Sequence, residues 1–196
     1  MGGSERRSQL AKTSGGGDEP ATSGTTDFLL LPWAEVDLKE SLSLLLANRE
    51  HLRRWEPLRP DSYFTASGQA ELLTSVQQAV RAGREYVAGI VVGGRLVGRV
   101  ALTGIERGVF QSCHLGYWVG AEHGGRGHAT QAVSEVVHFA FAGLELHRVQ
   151  AAVMPSNAAS LRVLRKCQFR SEGLAEAYLN IQGRWEDHLI YARTAD

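Results

Sequence analysis

The sequence predicts an α/β (α+β) fold in which a mixed, mostly antiparallel central sheet is flanked by helices. Three observations lead there. Strand-like and helix-like apolar periods alternate from Asp27 onward. Two strand patterns, YVAGIVV (86–92) and RLVGRVALTG (95–104), flank Gly93-Gly94, a two-residue hairpin signal, and a third strand pattern returns at 113–120. The remainder reads helix, strand, helix, strand, strand, and a mixed sheet covered on both faces buries every apolar side of such an order.

Each element has its own signal. FLLLPW (28–33) is a first strand ended by Pro32. Val36, Leu38, Leu42, Leu45 and Leu46 fall at helical spacing, and Leu72, Leu73, Val76 and Val80 form a second helical pattern. After the meander, Ala129, Val133, Val136, Val137, Ala140 and Phe141 line one face of the clearest helix. RVQAAVM (148–154) alternates as a strand and SNAASLRVLRK (156–166) reads as a short helix. Strands near 174–181 and 185–193, joined through 180–184 with Gly183, complete the pattern.

Composition bounds the function. The 196 residues, 43% hydrophobic and 21% charged, suffice for one soluble domain and a tail. Fourteen of residues 1–26 are Gly, Ser or Thr, too little apolar area to offset ordering entropy, so a disordered tail is expected there and a folded domain over 27–194. The longest strongly apolar stretch, Val87 to Val92, falls far short of the roughly 20 residues a membrane-spanning helix needs. Lys plus Arg and Asp plus Glu number 21 each, which leaves no overall basic field for a nucleic-acid backbone. Neither a membrane nor direct nucleic-acid binding is expected. Cys113 and Cys167 match no redox or metal spacing and read as small buried hydrophobes. The seven histidines show no ligand spacing, so no metal is expected. MGGSERRSQL lacks the apolar core of a signal peptide, and a cytoplasmic location is expected.

The chemistry concentrates in GYWVGAEHGGRGHATQAVSEVV (116–137), which runs from strand through a glycine-rich loop into an amphipathic helix. Gly124, Gly125 and Gly127 permit positive φ and a close approach of backbone to ligand. The first N–H groups of the following helix have no intrahelical partner and, with the helix dipole, suit a phosphate or pyrophosphate. The segment has neither the Gly-Lys-Ser/Thr ending of a P-loop nor the G-x-G-x-x-G spacing of a dinucleotide site. A bare helix-entry turn is the competing reading of the same glycines.

These residues resemble the coenzyme A pyrophosphate loop of the GNAT N-acetyltransferases, Gln/Arg-x-x-Gly-x-Gly/Ala, with Gly124 at the Gln/Arg position, Gly127 at the central Gly and Ala129 at the last. The likeness extends over nearly all of 27–194. NREHLRRWEP (48–57), RGVFQSCHLGY (107–117), HRVQAAVMP (147–155) and MPSNAASLRVLRKCQFRSEG (154–173) are similar to the bacterial ribosomal-protein alanine and serine N-terminal acetyltransferases of Rim type. The resemblance implies a GNAT fold and an enzyme moving the acetyl group of acetyl-CoA to a primary amine by direct attack in a ternary complex. The acceptor it implies is the α-amine of a protein N-terminus; a small-molecule amine such as an antibiotic or metabolite, and a weak acyl-CoA-binding module, are the alternatives. A homodimer is admitted. The chain departs from the family in lacking Gln/Arg at Gly124, in His128 for an aliphatic residue, and in Gln168 for the Gly before Phe169. Gln168 costs on the order of 1 kcal/mol if the left-handed geometry is kept.

Site residues follow from the likeness. Gly124, Gly125, Arg126, Gly127, His128, Ala129 and Thr130 would cradle the pyrophosphate, and the backbone of Val119 and Gly120 would bond the pantetheine amide and polarise the thioester. Asn157 is either a helix N-cap or a pantetheine contact, or both. Leu164 occupies the position of the family's usual proton-donating Tyr and cannot donate; the likeness to the Rim-type pattern Asn-x-x-Ser implies that Ser160 serves the leaving thiolate, with a solvated surface Ser as its plain alternative. Glu106, at the hairpin between the second and third meander strands, is the candidate base, with a solvated Glu as the alternative. Trp55 and Glu56 would roof the acceptor cleft, with core Trp and solvated Glu as their ordinary roles.

Overall fold

The computed structural model describes residues 27–195, so the tail expected over 1–26 lies outside the described residues. Its elements are β1 (Phe28–Pro32), α1 (Leu38–Ala47), α2 (Arg49–Arg53), α3 (Ala66–Arg81), β2 (Tyr86–Val92), β3 (Arg95–Glu106), β4 (Ser112–Val119), α4 (His128–Ala142), β5 (Arg148–Val153), α5 (Ala158–Lys166), β6 (Arg170–Ile181) and β7 (Arg184–Thr194). The strands form one sheet in the order β1-β2-β3-β4-β5-β7-β6. Only β4 and β5 pair parallel among the described residues, as the crossover through α4 requires. The expected mixed sheet with helices on both faces is the observed one.

Local chemistry accounts for the element ends. Gly93 and Gly94 take φ of 56° and 73°, turning β2 tightly into β3. Gln182 and Gly183, at 51° and 83°, do the same between β6 and β7, so that hairpin is tighter than the 180–184 connection expected. Asp37 caps α1 by accepting from the Glu40 N–H at 2.8 Å. Thr65 caps α3 by accepting from the Gly68 N–H at 3.1 Å, which starts that helix six residues before its apolar pattern does. Val36 lies outside α1 in extended backbone.

Two apolar clusters fill the two faces. Ala88, Ile90, Val100 and Leu102 pack with Val133, Val136 and Val137 of α4 and Leu161 and Leu164 of α5. Val87, Leu96 and Ala101 pack with Leu44 of α1 and Val76 of α3 on the other side. A bulge where Ile90 and Val91 meet β3 puts Val97 and Val100 on one face despite their odd spacing. Cys113 and Cys167 are free and buried, and burial pushes the Cys113 thiol up to about 12.

Candidate active site

The site exists because two parallel strands part company. β4 and β5 pair only at Ser112–Arg148, Cys113–Val149 and His114–Gln150. β4 then continues to Val119 and β5 to Val153 without pairing, and the sheet splits into a wedge. A cleft of about 610 Å³ fills the wedge and extends along the loop into α4, a size suited to a cofactor-scale ligand. Alternation along β4 makes it two-sided. Tyr117 and Val119 pack toward the α4–α5 cluster, whereas Trp118 packs toward the α1–α3 cluster, and all three line the cleft.

On the α4 side the glycine loop is built as a cradle. Gly125 and Gly127 take φ of 74° and 89°, which L side chains rarely adopt. Gly124 sits at −64°, so its dihedral does not require glycine, contrary to the expectation for all three. Gly127 is the N-cap of α4 and supplies no side-chain cap, leaving the helix start turned to the cleft. Cys167 donates through Sγ to the Thr130 carbonyl at 3.4 Å, tying the loop side of α4 to the end of α5. Burial, then the neighbouring His123 and Arg126, lowers the His128 pKa; the cationic surroundings that oppose a second positive charge favour an anion.

Asn157 caps α5, its Oδ1 accepting from the Ser160 N–H at 3.1 Å, so the N-cap reading holds geometrically. Ser160 Oγ lies 2.8 Å from the Tyr117 hydroxyl, and that hydroxyl also lies 3.2 Å from the Ser160 carbonyl. Burial raises the phenol's pKa and keeps it protonated. Sequence reasoning missed Tyr117. Its signal was available: in HLGYWVG it shares a face with the buried Leu115, where a hydroxyl needs a partner.

The cleft wall includes Trp55, Glu56, Val119, Gly124, Gly125, Gly127, His128, Ala129, Thr130, Asn157 and Ser160, so most expected site residues converge. Arg126 belongs to the same loop but is exposed and outside that wall. Gly120 is a correction. Its N–H donates to the Val97 carbonyl at 2.8 Å and its carbonyl accepts from the His123 N–H at 2.9 Å, so its one donor is spent on the fold, and Gly120 is not part of the cleft wall. A Cβ there would meet the Asn48 amide at 3.1 Å, and Asn48 in turn accepts from the Ala121 N–H at 2.8 Å. The buried Asn48, which the sequence did not single out, therefore anchors the loop entry.

Glu106 is the second correction. It pairs with Ser112, at the opposite end of β4 from Val119, about 23 Å away at 3.3 Å per residue. It cannot reach the wedge and is not a catalytic base. No group of three or more His, Cys, Asp or Glu side chains placed to hold a metal occurs among the described residues. No helix among them is long and apolar enough to cross a membrane.

Residues 27–170 match the acetyltransferase (GNAT) domain family. The probable N-acetyltransferase YjcK of Bacillus subtilis is 40% identical over 163 residues, covering 82% of this chain and 90% of that protein. The ribosomal protein uS5-alanine N-acetyltransferase of Escherichia coli is 31% identical over 149 residues, covering 75% and 77%. Among solved structures, RimJ of Mycobacterium smegmatis in complex with CoA-disulfide superposes with a TM-score of 0.79 at 30% identity, covering 88% and 89% of the two chains. The chain belongs to the GNAT acetyltransferase family and is an acyl-CoA-dependent acetyltransferase close to the ribosomal-protein Rim enzymes.

Proposed function

We propose that the enzyme transfers the acetyl group of acetyl-CoA to the α-amine of a protein N-terminus, by direct attack with both substrates bound. The observation that carries this reading is the two-sided wedge. The glycine loop, Val119 and Asn157 border it toward α4 and α5, while Trp55 and Glu56 border it from the α2 segment. A donor and an acceptor can thus meet at the split in the sheet. The residues fit acetyl-CoA: positive-φ glycines and an uncapped helix start for the pyrophosphate, with Arg126 beside them, and an open strand edge at Val119 for the pantetheine amide. When bound, acetyl-CoA supplies the activated acyl thioester.

Ser160 and Tyr117 hold the proton for the departing sulfur. If Tyr117 donates to Ser160 Oγ, the serine hydroxyl proton is free to point into the cleft. Trp55 and Glu56 receive the amine. An α-amine has a pKa of about 7.7–8.0 and is roughly 10–20% neutral at pH 7, whereas a lysine amine is neutral only about 0.04% of the time. A wedge wall whose single carboxylate is Glu56 therefore suits an N-terminus better than a lysine, which needs far more help to lose its proton. The relative named for alanine N-acetylation of uS5 supports the same acceptor class.

The test is an acceptor panel with acetyl-CoA, read by mass spectrometry. Peptides beginning with Ala, Ser or Thr should be acetylated at the α-amine. A preference of 100-fold or more for aminoglycoside-type amines, or acetylation confined to lysine side chains, overturns the reading.

A further inference from the structure

We propose that Glu56 is the base that takes the proton of the acceptor ammonium, and that Gln182, at the tip of the β6–β7 hairpin, positions it. The inference rests on the N-terminal acceptor reading and names the residue that performs its first step. Glu56 belongs to the walls of two cavities: the wedge, and a second one of about 270 Å³ bordered by α2, Pro57 and Phe64. Leu52 and Glu56 are the residues common to both walls. The Glu56 side chain, at the boundary of the two cavities, is only 25% exposed.

Gln182 fixes this segment from far away in sequence. Its Nε2 donates to the Glu56 carbonyl at 3.0 Å, and its Oε1 accepts from Arg53 Nε at 3.3 Å. The side chain therefore bridges Arg53 at the end of α2 and the backbone three residues beyond it. Gln182 holds φ of 51°, a conformation a β-turn would more naturally give to Asn or Gly. A longer side chain than the turn prefers is explained by its reach to both partners.

The charges facing Glu56 are Arg59, whose Nε lies 3.9 Å from Oε2, and the guanidinium of Arg99 on β3, with Tyr63 from the short turn Asp61–Phe64. His51 and Arg54 share the wedge wall, and Arg49, Glu50 and Arg53 the second cavity. Arg99 stacks 5.1 Å from the Trp33 ring and its buried Nε has no hydrogen-bond partner. Burial raises the Glu56 pKa, and Arg59 and Arg99 restrain the rise. A carboxylate raised in this way is a stronger base than a solvated one.

The step balances. One ammonium proton passes to Glu56 and then to solvent. The neutral nitrogen forms a C–N bond to the thioester carbonyl carbon as the C–S bond breaks, and its second proton offsets the one the sulfur receives from the Ser160–Tyr117 pair.

The experiment compares wild type, Glu56→Gln and Gln182→Asn on an alanine-starting peptide from pH 6.5 to 9, with acetyl-CoA affinity measured by calorimetry. Glu56→Gln should lower kcat about 100-fold at pH 6.5, the low end for an acid–base group. The deficit should narrow to under about 10-fold at pH 9, where the α-amine is already neutral. Acetyl-CoA affinity should be unchanged. Gln182→Asn keeps the turn but shortens the bridge, and kcat should fall about 3- to 10-fold with acetyl-CoA KM unmoved. A deficit constant across pH, or lost acetyl-CoA binding in Glu56→Gln, assigns Glu56 to the framework and overturns the proposal. Full activity in Gln182→Asn overturns the positioning role. A wild-type enzyme that acetylates no N-terminal peptide while transferring to another amine sinks the acceptor reading instead.

Discussion

The Tyr117 hydroxyl lies 2.8 Å from Ser160 Oγ, joining β4 to α5 across the split in the sheet. The pair supplies a hydroxyl chain where Leu164 stands in the family's usual tyrosine position. A donor aimed at charge that develops only as sulfur departs acts on turnover and not on ground-state binding. Ser160→Ala should cut kcat roughly 10- to 1000-fold with little change in acetyl-CoA affinity. Tyr117→Phe should act through the same chain, so the double variant should lose much less than the product of the single losses. Single-turnover kinetics beside calorimetry measures both; multiplicative losses would separate the two hydroxyls.

Gly127 combines φ of 89° with the uncapped start of α4. Acetyl-CoA at 100 times its Kd should add about 2.7 kcal/mol to stability, seen as a rise in Tm. Gly127→Glu adds both left-handed strain and a negative charge at the loop proposed to hold the pyrophosphate, and that rise should vanish. Its survival would move the donor's phosphates off this loop.

Gln168 adopts φ of 65° after α5, the geometry for which the family uses glycine. Gln168→Gly removes the left-handed penalty at some cost in unfolded-chain entropy, for a net gain of about 0.5–1 kcal/mol. Urea denaturation should show a higher midpoint with an unchanged slope.

Glu56 carries a pKa raised chiefly by burial. The folded state then holds this proton more tightly than the unfolded chain. The favourable contribution is present below the unfolded pKa and lost as pH rises through the folded one. Glu56→Gln should therefore raise Tm at pH 7 and leave it nearly unchanged near pH 4, while activity falls. A lower Tm at pH 7 would mean that Arg59 and Arg99 outweigh desolvation.

Strand and helix order, the Gly93-Gly94 turn, the Asn157 cap and the glycine loop were legible because each depends on neighbours within a few residues. Periodicity, capping and dihedral preference all act over that range. The strained Gln168 was legible for the same reason. Glu106 was misplaced because its distance from the site depends on β3–β4 register, and Gly120 because its N–H is taken by Val97, a partner 23 positions away.

The amino-acid sequence by itself determined the fold class, the glycine-rich entry to α4 and the helix that carries Ser160. Tertiary structure alone decided where β4 and β5 separate, that Tyr117 meets Ser160, and that Glu56 stands between two cavities under the hold of Gln182. The physical reason is the range of the interactions. A turn or a cap is closed by residues one or two steps along the chain, whereas Tyr117 and Ser160 are 43 positions apart and Gln182 reaches back 126 to Glu56. Such contacts follow from sheet register and helix packing, which arise only when the whole core closes.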